Sequence, residues 1–364
     1  MLWEFTPADD PDLGYTYGAP VITRKADGTW VVLVTSGYYN GTVSGNPAIN
    51  NSPAGGGIGY LYVLDARTGT VLSKISTGVG SAASPSGLAK IAAWNDEPIG
   101  NKAGPVYGGD LLGNVWRFDI NAGTVLKFAT LFSDGTTPNT AGASPQPITT
   151  TPVLGSILGK RVVFIGTGKY LETSDLSTSQ KQTQYAIKDD NATTTLVNPR
   201  TTLVQQFLIN NPDGTATRLS SGTAAAGAAT DIKTVDFSSG RGWFVDFPDT
   251  GERVNIDSKL VLGTLLVPTV VPSNTVCSPG GFGWLNFFDY KTGGSISPLP
   301  GIPLASDKYD ATIVGINVLY IQGQPIVEVV TSTNPTPKKD PNVEFKAAAA
   351  GFSGKRAIWR ELIP

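Results

Sequence analysis

The chain has 364 residues, a formal net charge of −2 at pH 7 and only 15% charged residues, so nothing predicts electrostatic steering onto nucleic acid. Histidine is absent and Cys277 is the one cysteine, which excludes an internal disulfide, a conventional nucleophilic triad and an ordinary zinc site. The 43 glycines and 26 prolines favour many tight turns over long helices.

The N-terminal sequence MLWEFTPADDPDLGYTYG lacks the basic and apolar regions of a signal peptide. The longest apolar runs, such as residues 260–271, are interrupted by glycine or proline and are too short to cross a bilayer. We therefore expect a chain that does not span a membrane. Its abundance of threonine, serine, glycine and asparagine suits an exported surface protein, whose export signal would lie outside this chain.

The first predicted elements are two strands and a polar loop, namely LWEF (2–5), TWVVLVTSG (29–37) and the Gly/Asn/Ser-rich segment 40–57. A distinctive unit follows at GYLYVLDARTG (59–69), in which a glycine, five mostly apolar residues, an aspartate, three residues and a glycine succeed one another. Its alternation of aromatic and β-branched residues predicts a strand. Asp65 can accept hydrogen bonds from the backbone of the following turn, and Gly69 can supply a positive φ.

The same unit returns at GNVWRFDINAG (113–123) and at GWLNFFDYKTG (283–293). Between these two full copies lie two looser ones, TQYAIKDDNATT (183–194) and GWFVDFPDTG (242–251). We expect the three full units to occupy equivalent places in the fold. The residues predicted to close their turns are Asp65, Gly69, Asp119, Gly123, Asp289 and Gly293.

Many short strands with a weak repeat at irregular spacing predict an all-β chain. The architecture that we expect is a modified β-propeller of about five to seven blades with long inserted loops, and a β-sandwich or β-helix is the alternative. The strand-like ends at 2–5 and 358–361 would share a blade and close the ring. No composition break divides the chain, so a single domain is expected over residues 1–364. Further strands are predicted at 103–113, 159–171, 259–271, 318–333 and 355–363, loops at 133–152, 210–234 and 333–342, and a short helix at 344–352.

Few segments carry the residues that binding chemistry needs. GGDLLG (108–113) and GTGKYLET (166–173) look superficially like phosphate loops, but neither has the full P-loop spacing or opens a convincing helix. We interpret both as turns at strand ends, so no nucleotide is expected. Residues 92–104 place several side-chain oxygens together just before a strand. The residues that could hold a hard cation there are Asn95, Asp96, Glu97 and Asn101.

SPSGL (84–88), followed by VYGGDLLGNVWRFDI (106–120), resembles the signature of the PilC/PilY1 family, the type IV pilus-associated adhesins. The resemblance covers nearly all of the chain and implies a modified β-propeller, in agreement with the repeat. Family members carry a signal peptide, a von Willebrand A-like region and an earlier part of the propeller upstream, so we expect a propeller incomplete at its N-terminal end. The other matching segments are LWEFTPADDPDLGYTYGAPVI, WVVLVTSGYYN, GYLYVLDARTG, QPITTTPVLG, VVFIGTGKYLETSDL, GRGWFVDFP and KRAIWREL.

The resemblance also implies a calcium loop directly before the strand equivalent to residues 105–110. Asp96 falls where the first ligand is expected, but the later ligand positions fall on Pro98, Gly100 and Gly104, which offer no side-chain oxygen. A hard cation prefers six to eight oxygen ligands. Although Asn95, Glu97, Asn101 or backbone carbonyls could compensate, we expect calcium binding here to be weak or absent.

The resemblance implies a non-enzymatic module that supports pilus extension against retraction and mediates attachment to surfaces or host cells. The implied partners are other type IV pilus components, such as minor pilins at the tip, together with a host or surface receptor of unknown identity. The implied location is the outer membrane, the cell surface and the pilus tip. Neither nucleic acid nor a membrane span is part of this reading.

A quinoprotein-like propeller dehydrogenase is the alternative function, because its blades also use strand units that end in LDARTG. Such an enzyme needs a calcium-bound quinone, a catalytic carboxylate and an aromatic stacking floor. Some of these enzymes also carry a pair of adjacent cysteines, which the single Cys277 cannot supply. We therefore expect no enzyme and no quinone, nucleotide or zinc cofactor.

Overall fold

The computed structural model shows a chain built almost entirely from β-strands, with two short 3-10 helices at Thr173–Ser177 and Pro199–Thr201. None of the described helices is long and apolar enough to cross a membrane. The structure describes residues 2–41, 55–97, 100–133, 144–211, 216–220, 224–225, 228–229, 233–273, 280–296, 305–322, 324–334, 336, 338–339 and 345.

The first two blades are antiparallel four-stranded meanders, joined at one edge by a single parallel bridge between Arg24 and Lys102. Most connections between consecutive strands are short turns, as expected for alternating apolar segments, but residues 36–59 separate the second and third strands of the first blade. The strands are β1 (Val21–Arg24), β2 (Trp30–Thr35), β3 (Tyr60–Asp65), β4 (Val71–Ser76), β5 (Ile91–Glu97), β6 (Lys102–Gly109), β7 (Asn114–Asp119) and β8 (Thr124–Thr130).

The third blade is interrupted by an insertion between its third and fourth strands. Its first three strands are β9 (Val153–Ile157), β10 (Lys160–Gly166) and β11 (Thr183–Asp189). The blade is completed by β17, which pairs with β11 antiparallel and with β12 parallel. The strands from the insertion to the end of the blade are β12 (Val204–Gln206), β13 (Leu208–Asn210), β14 (Arg218–Ser220), β15 (Ala224–Ala225), β16 (Ala228–Ala229) and β17 (Gly242–Asp246).

Two further sheets follow, so the described residues form five blade-like sheets, within the expected range of five to seven. The fourth blade is a four-stranded antiparallel sheet, and the fifth has three strands in the described residues. Their strands are β18 (Lys259–Val261), β19 (Thr264–Ser273), β20 (Gly280–Asp289), β21 (Ser306–Tyr309), β22 (Ile313–Ile321), β23 (Gln324–Thr331) and β24 (Lys338–Lys339).

Successive blades pack face to face, because alternate side chains of a strand enter different cores. In β10, Val163 and Ile165 join a core with residues of the second blade such as Val115. Their neighbour Phe164 points the other way and joins a core that contains Leu265 of the fourth blade. This stacking of sheets, with one core on each side of a blade, is the packing of a β-propeller.

The antiparallel meanders place connections of two kinds on opposite faces of the stack. The turns between the first and second strands and between the third and fourth strands of a blade lie on one face, here called the turn face. The connections between the second and third strands, and between successive blades, lie on the other, here called the loop face. Residues 119–123 therefore lie on the turn face, and residues 110–113 on the loop face.

The three full repeat units contain the third strands of the first, second and fourth blades, and their aspartates bind the following turns. Asp65 Oδ1 accepts hydrogen bonds from the backbone N–H groups of Arg67 and Thr68, both at 2.9 Å. Asp119 and Asp289 accept two equivalent backbone bonds each. The closing glycines Gly69, Gly123 and Gly293 have φ of 74°, 66° and 71°.

Two of these glycines also receive a tryptophan from outside the unit. The Trp243 indole on β17 donates to the Tyr290 carbonyl at 3.1 Å, and its ring lies where a Cβ on Gly293 would be. Trp3 repeats the arrangement, since its indole donates to the Ala66 carbonyl at 3.1 Å and its ring occupies the space beside Gly69. The first contact ties the third blade to the fourth.

Several sequence expectations need correction. Residues 2–5 do not form a strand; Trp3 instead docks on the turn of the first blade, so these residues do not close a ring by strand pairing. The looser units 183–194 and 242–251 lie in one blade, because β11 and β17 are neighbours in one sheet. The predicted surface loop 133–152 is buried in part, since Gln146 and Thr150 are 0% and 3% exposed. The predicted helix at 344–352, apart from residue 345, lies outside the described residues, as do Cys277 and the predicted strand at 355–363.

Candidate functional site: a cleft on the loop face

A cleft of about 450 Å³ opens on the loop face, where the first, second and third blades meet. Its floor is apolar, with two leucines and three prolines, and its walls carry amides, hydroxyls and charged groups. The lining residues are Ser84, Pro85, Leu111, Leu112, Pro145, Pro147, Lys169, Glu172, Ser174, Asp175, Thr178, Gln180, Gln182 and Arg253.

A hydrogen-bonded ladder that includes the lining residue Leu111 joins segments far apart in sequence. The Leu111 N–H donates to the Ser86 carbonyl at 2.8 Å, and the Ile148 N–H donates to the Asp110 carbonyl at 3.0 Å. The Thr149 hydroxyl donates to the Gly168 carbonyl at 2.8 Å. The segments that carry the sequence resemblance, 84–88, 106–120, 146–155 and 162–176, are thereby brought together here.

Asp110 is the centre of this ladder. Its carboxylate is fully buried and accepts from five donors, which is an unusually complete set for a carboxylate without a cation. Burial raises the pKa of Asp110, whereas the bonds from Asn114, Trp116 and Ser86 lower it. The five donors are Leu112 N, Asn114 N, Asn114 Nδ2, Trp116 Nε1 and Ser86 Oγ, at 2.8–3.2 Å.

The wall formed by residues 169–178 is fixed by Arg253. Its guanidinium is buried and donates to the backbone carbonyls of Lys169 at 3.0 Å, Asp175 at 2.6 Å and Thr178 at 3.1 Å, and to that of Gly251 at 2.9 Å. Burial lowers the pKa of Arg253. Because these donors are used within the protein, Arg253 orders the wall and is not available as an anion receptor.

The charges in this wall are paired with one another. The Lys169 ammonium lies 3.2 Å from the Asp175 carboxylate and 3.5 Å from the Glu172 carboxylate. Asp175 is buried and also accepts the backbone N–H groups of Leu171 at 2.8 Å and Glu172 at 2.9 Å. Because these charges are paired, the net charge of the wall is small, although it keeps exposed polar groups.

A group of four tyrosines adjoins the cleft. Tyr15, Tyr17, Tyr38 and Tyr39 contact one another with ring centroids 5.7–6.1 Å apart. The Tyr39 hydroxyl donates to Glu172 Oε1 at 2.8 Å, which joins this tyrosine group to the wall of the cleft. Burial, together with the bond to Glu172, raises the pKa of Tyr39, so its hydroxyl stays a donor at neutral pH. Tyr17 is 66% exposed.

A second, larger cavity of about 540 Å³ opens on the turn face between the second and third blades. Asp96 and Asp119 line it, as do Arg117 and Arg161. The two arginines are paired with the buried Asp189, at 2.6 Å for Arg117 Nη1 and 3.7 Å for Arg161 Nε. The Arg117–Asp189 pair joins the second blade to the third, whereas Arg161 and Asp189 lie on neighbouring strands of the third blade.

The predicted calcium segment is the β5–β6 hairpin and not an open loop. Asn95 Nδ2 donates to Asn101 Oδ1 at 3.3 Å, so these two amides bond to each other across the turn. Asp96 is exposed and its carboxylate lies against Gly104. The Glu97 side chain and residues 98–99 lie outside the described part of the chain.

The described side chains of the hairpin offer few oxygens for calcium, namely the Asp96 carboxylate and two amides that bond to each other, where a hard cation prefers six to eight ligands. Weak or absent calcium binding at this segment stays a prediction. Among the described residues, no group of three or more acidic, histidine or cysteine side chains could hold a metal ion. We derive no calcium-dependent step from this segment.

Calorimetry should accordingly show weak calcium binding or none at residues 95–104. The physical reason is the small donor set, in which two amide side chains already satisfy each other. A calcium dissociation constant below about 1 µM would contradict this expectation if the binding is lost in Asp96→Ala. The control is Asp27→Ala, which alters an exposed turn and should leave such binding unchanged.

Sequence reasoning missed the residues that build the cleft. Gln182 and Arg253 lie in segments without a recognisable motif, and their roles depend on contacts with other blades. The role of Asp110 could have been predicted. A charged residue between glycines and leucines in GGDLLG is unusual, and a buried hydrogen-bond acceptor explains it.

A family model described as the PilY1 β-propeller domain matches residues 8–219. The type IV pilus biogenesis factor PilY1 of Pseudomonas aeruginosa PAO1 is 30% identical over 333 residues, covering 82% of this chain and 27% of that protein. A PilY1 homologue of Xylella fastidiosa is 28% identical over 393 residues, covering 100% of this chain and 28% of that protein.

The fold has a counterpart among solved structures. The crystal structure of the P. aeruginosa PilY1 C-terminal domain superimposes with a TM-score of 0.67 at 23% identity, covering 94% of this chain and 76% of that one. The chain spans just over a quarter of the length of the curated relatives that it matches. From the family match over more than half of its residues, the chain belongs to the PilY1 β-propeller family.

Proposed function

We propose that this propeller is a non-enzymatic module of type IV pilus biogenesis that supports pilus extension against retraction and takes part in attachment. The relatives are named as type IV pilus biogenesis factors, which supports the first part. One observation carries the proposal furthest: four of the segments that resemble the family, 84–88, 106–120, 146–155 and 162–176, meet at a single loop-face cleft. A binding role is the economical use of such a surface.

The geometry of the cleft favours binding over catalysis. A carboxylate that acts as a general acid or base must be able to transfer a proton to or from a substrate, but Asp110 is buried under five donors and Asp175 is held by Lys169 and two backbone amides. A quinone would stack on an aromatic floor. Here the floor is Leu111, Leu112 and prolines.

The partners and location in this proposal follow from the family. The module would act outside the cell or at the outer membrane, at or near the pilus tip, in contact with minor pilins and with a surface receptor of unknown identity. The near-neutral charge supports contacts that depend on shape and local polarity more than on long-range steering. No nucleic-acid partner is proposed.

The test is complementation of a strain that lacks the parent gene. Full-length protein should restore surface pili, twitching and attachment, whereas the same protein without this propeller should not, although it is exported at equal abundance. Normal piliation and adhesion without the propeller would refute the proposal. A quinone absorption band after reconstitution with pyrroloquinoline quinone and calcium would favour the dehydrogenase instead.

A further inference from the structure

We propose that the loop-face cleft binds a neutral oligosaccharide. This inference rests on the attachment role proposed above and names the ligand class of the same site. A cleft of about 450 Å³ falls within the range of roughly 300–1,000 Å³ that is typical of small-ligand sites. Its apolar floor and polar walls match a ligand that has C–H faces and a rim of hydroxyl groups.

Gln182 is the first observation that points to a ligand. It lines the cleft, is 4% exposed, and its Oε1 has no hydrogen-bond partner among the described residues. A buried acceptor without a donor is destabilising, because its lost hydrogen bond to water is not replaced. A ligand that donates a hydrogen bond to this oxygen would recover the lost free energy.

The neighbouring Gln180 fixes which atom of Gln182 is left over. The Gln180 Nε2 donates to the Pro145 carbonyl at 2.9 Å and to the Ser144 carbonyl at 3.2 Å, so its Oε1 must be the acceptor that faces Gln182. Gln182 Nε2 donates to that oxygen at 2.9 Å. The amide orientations are therefore set by backbone carbonyls, and the unused group is an acceptor, suited to a hydroxyl donor.

The charges argue for a neutral ligand. Lys169 lies within 3.5 Å of two carboxylates, and Arg253 donates to four backbone carbonyls, so neither is available to an anionic group. Glu172 is shared among Lys169, the Tyr39 hydroxyl and Ser174 Oγ, which weakens its attraction for a basic peptide. Hydroxyl groups can still bond to these carboxylate oxygens without displacing an ion pair.

Two tyrosines lie beside residues that line the cleft. Tyr170 lies between the lining residues Lys169 and Glu172 and is 38% exposed, and Tyr39 reaches the wall through Glu172. The face of an aromatic ring is electronegative, so the slightly positive C–H groups of a pyranose pack favourably against it. Tyrosine provides this contact at low entropic cost, because it has only two rotatable side-chain bonds.

The test is saturation-transfer NMR on the whole chain. The probes are glucose, galactose, mannose, N-acetylglucosamine and their common disaccharides, with N-acetylneuraminic acid and hexalysine as charged comparators. We expect saturation transfer to at least one neutral sugar. The affinity for that sugar should fall at least tenfold in Gln182→Leu and in Tyr170→Ala. Tyr320→Ala, which alters an exposed tyrosine of the fifth blade, is the matched control and should bind as the wild type does.

Three results would overturn the inference. They are no saturation transfer to any neutral sugar, transfer only to a charged comparator, and sugar binding by both cleft variants that equals that of the wild type. Because Tyr170 is exposed, its variant remains informative if Gln182→Leu does not fold. The complementation experiment is independent of this one. Absence of sugar binding with a continued need for the propeller would refute the saccharide alone, whereas piliation and adhesion without the propeller would refute the proposed function.

Discussion

Replacing Arg218 with methionine is expected to lower the free energy of unfolding by about 3–5 kcal/mol. Arg218 on β14 is 0% exposed and donates to both carboxylate oxygens of Glu252, each at 2.8 Å. Glu252 is also buried, so the variant would leave an anion without its cation in a medium of low polarity. Urea unfolding followed by circular dichroism gives the measurement.

The structure offers two controls for this variant. Arg67→Met removes an exposed arginine from a turn and should change the free energy of unfolding by less than about 0.5 kcal/mol. The double variant Arg218→Met with Glu252→Gln should lose less than the sum of its single changes, because it removes the unpaired charge. Equal losses for Arg218→Met and Arg67→Met would show that the buried pair is energetically unimportant.

Asp110→Ala is expected to cost about 3 kcal/mol or more, because five donors lose their acceptor in a buried site. The matched control is Asp119→Ala, since Asp119 also closes a turn but is exposed and accepts two backbone bonds. That change should cost about 1 kcal/mol. The urea midpoints of both variants give the comparison, and equal losses would contradict the central role of Asp110 in the ladder.

The local parts of the fold were predictable from sequence. The units at 59–69, 113–123 and 283–293 could be assigned to strands and turns, because alternation and the Asp-x-x-x-Gly pattern act within a few residues. A turn that satisfies its own backbone donors through one carboxylate does not depend on the rest of the molecule.

The pairing partners of the strands were harder to predict from the sequence. The segment 242–251 reads as another repeat unit, yet β17 is the fourth strand of the blade that contains β11, because pairing partners are chosen by packing and not by the pattern of one strand. Trp3 lies in a strand-like stretch, yet its indole bonds to the Ala66 carbonyl. The sequence shows that a tryptophan is present but not which glycine receives it.

Polar contacts between residues far apart in the sequence could not be predicted. Arg218 and Glu252 are separated by 34 positions, and the Tyr39–Glu172 bond spans 133. A charged residue in a sequence is most often solvated, and its burial is decided only when another blade brings a partner. The cleft belongs to this class, since three blades contribute to its lining.

The insertion between β11 and β17 affects the order of folding. The second blade can form by successive hairpins, which close short loops and therefore form quickly. In the third blade, β17 can reach β11 only after residues 190–241 have been bridged, and the entropy of closing that loop must be overcome first. Until then the edge of β11 exposes unpaired backbone groups that can template pairing with another chain. The rate of this single pairing event therefore sets how long a newly made chain remains vulnerable to aggregation.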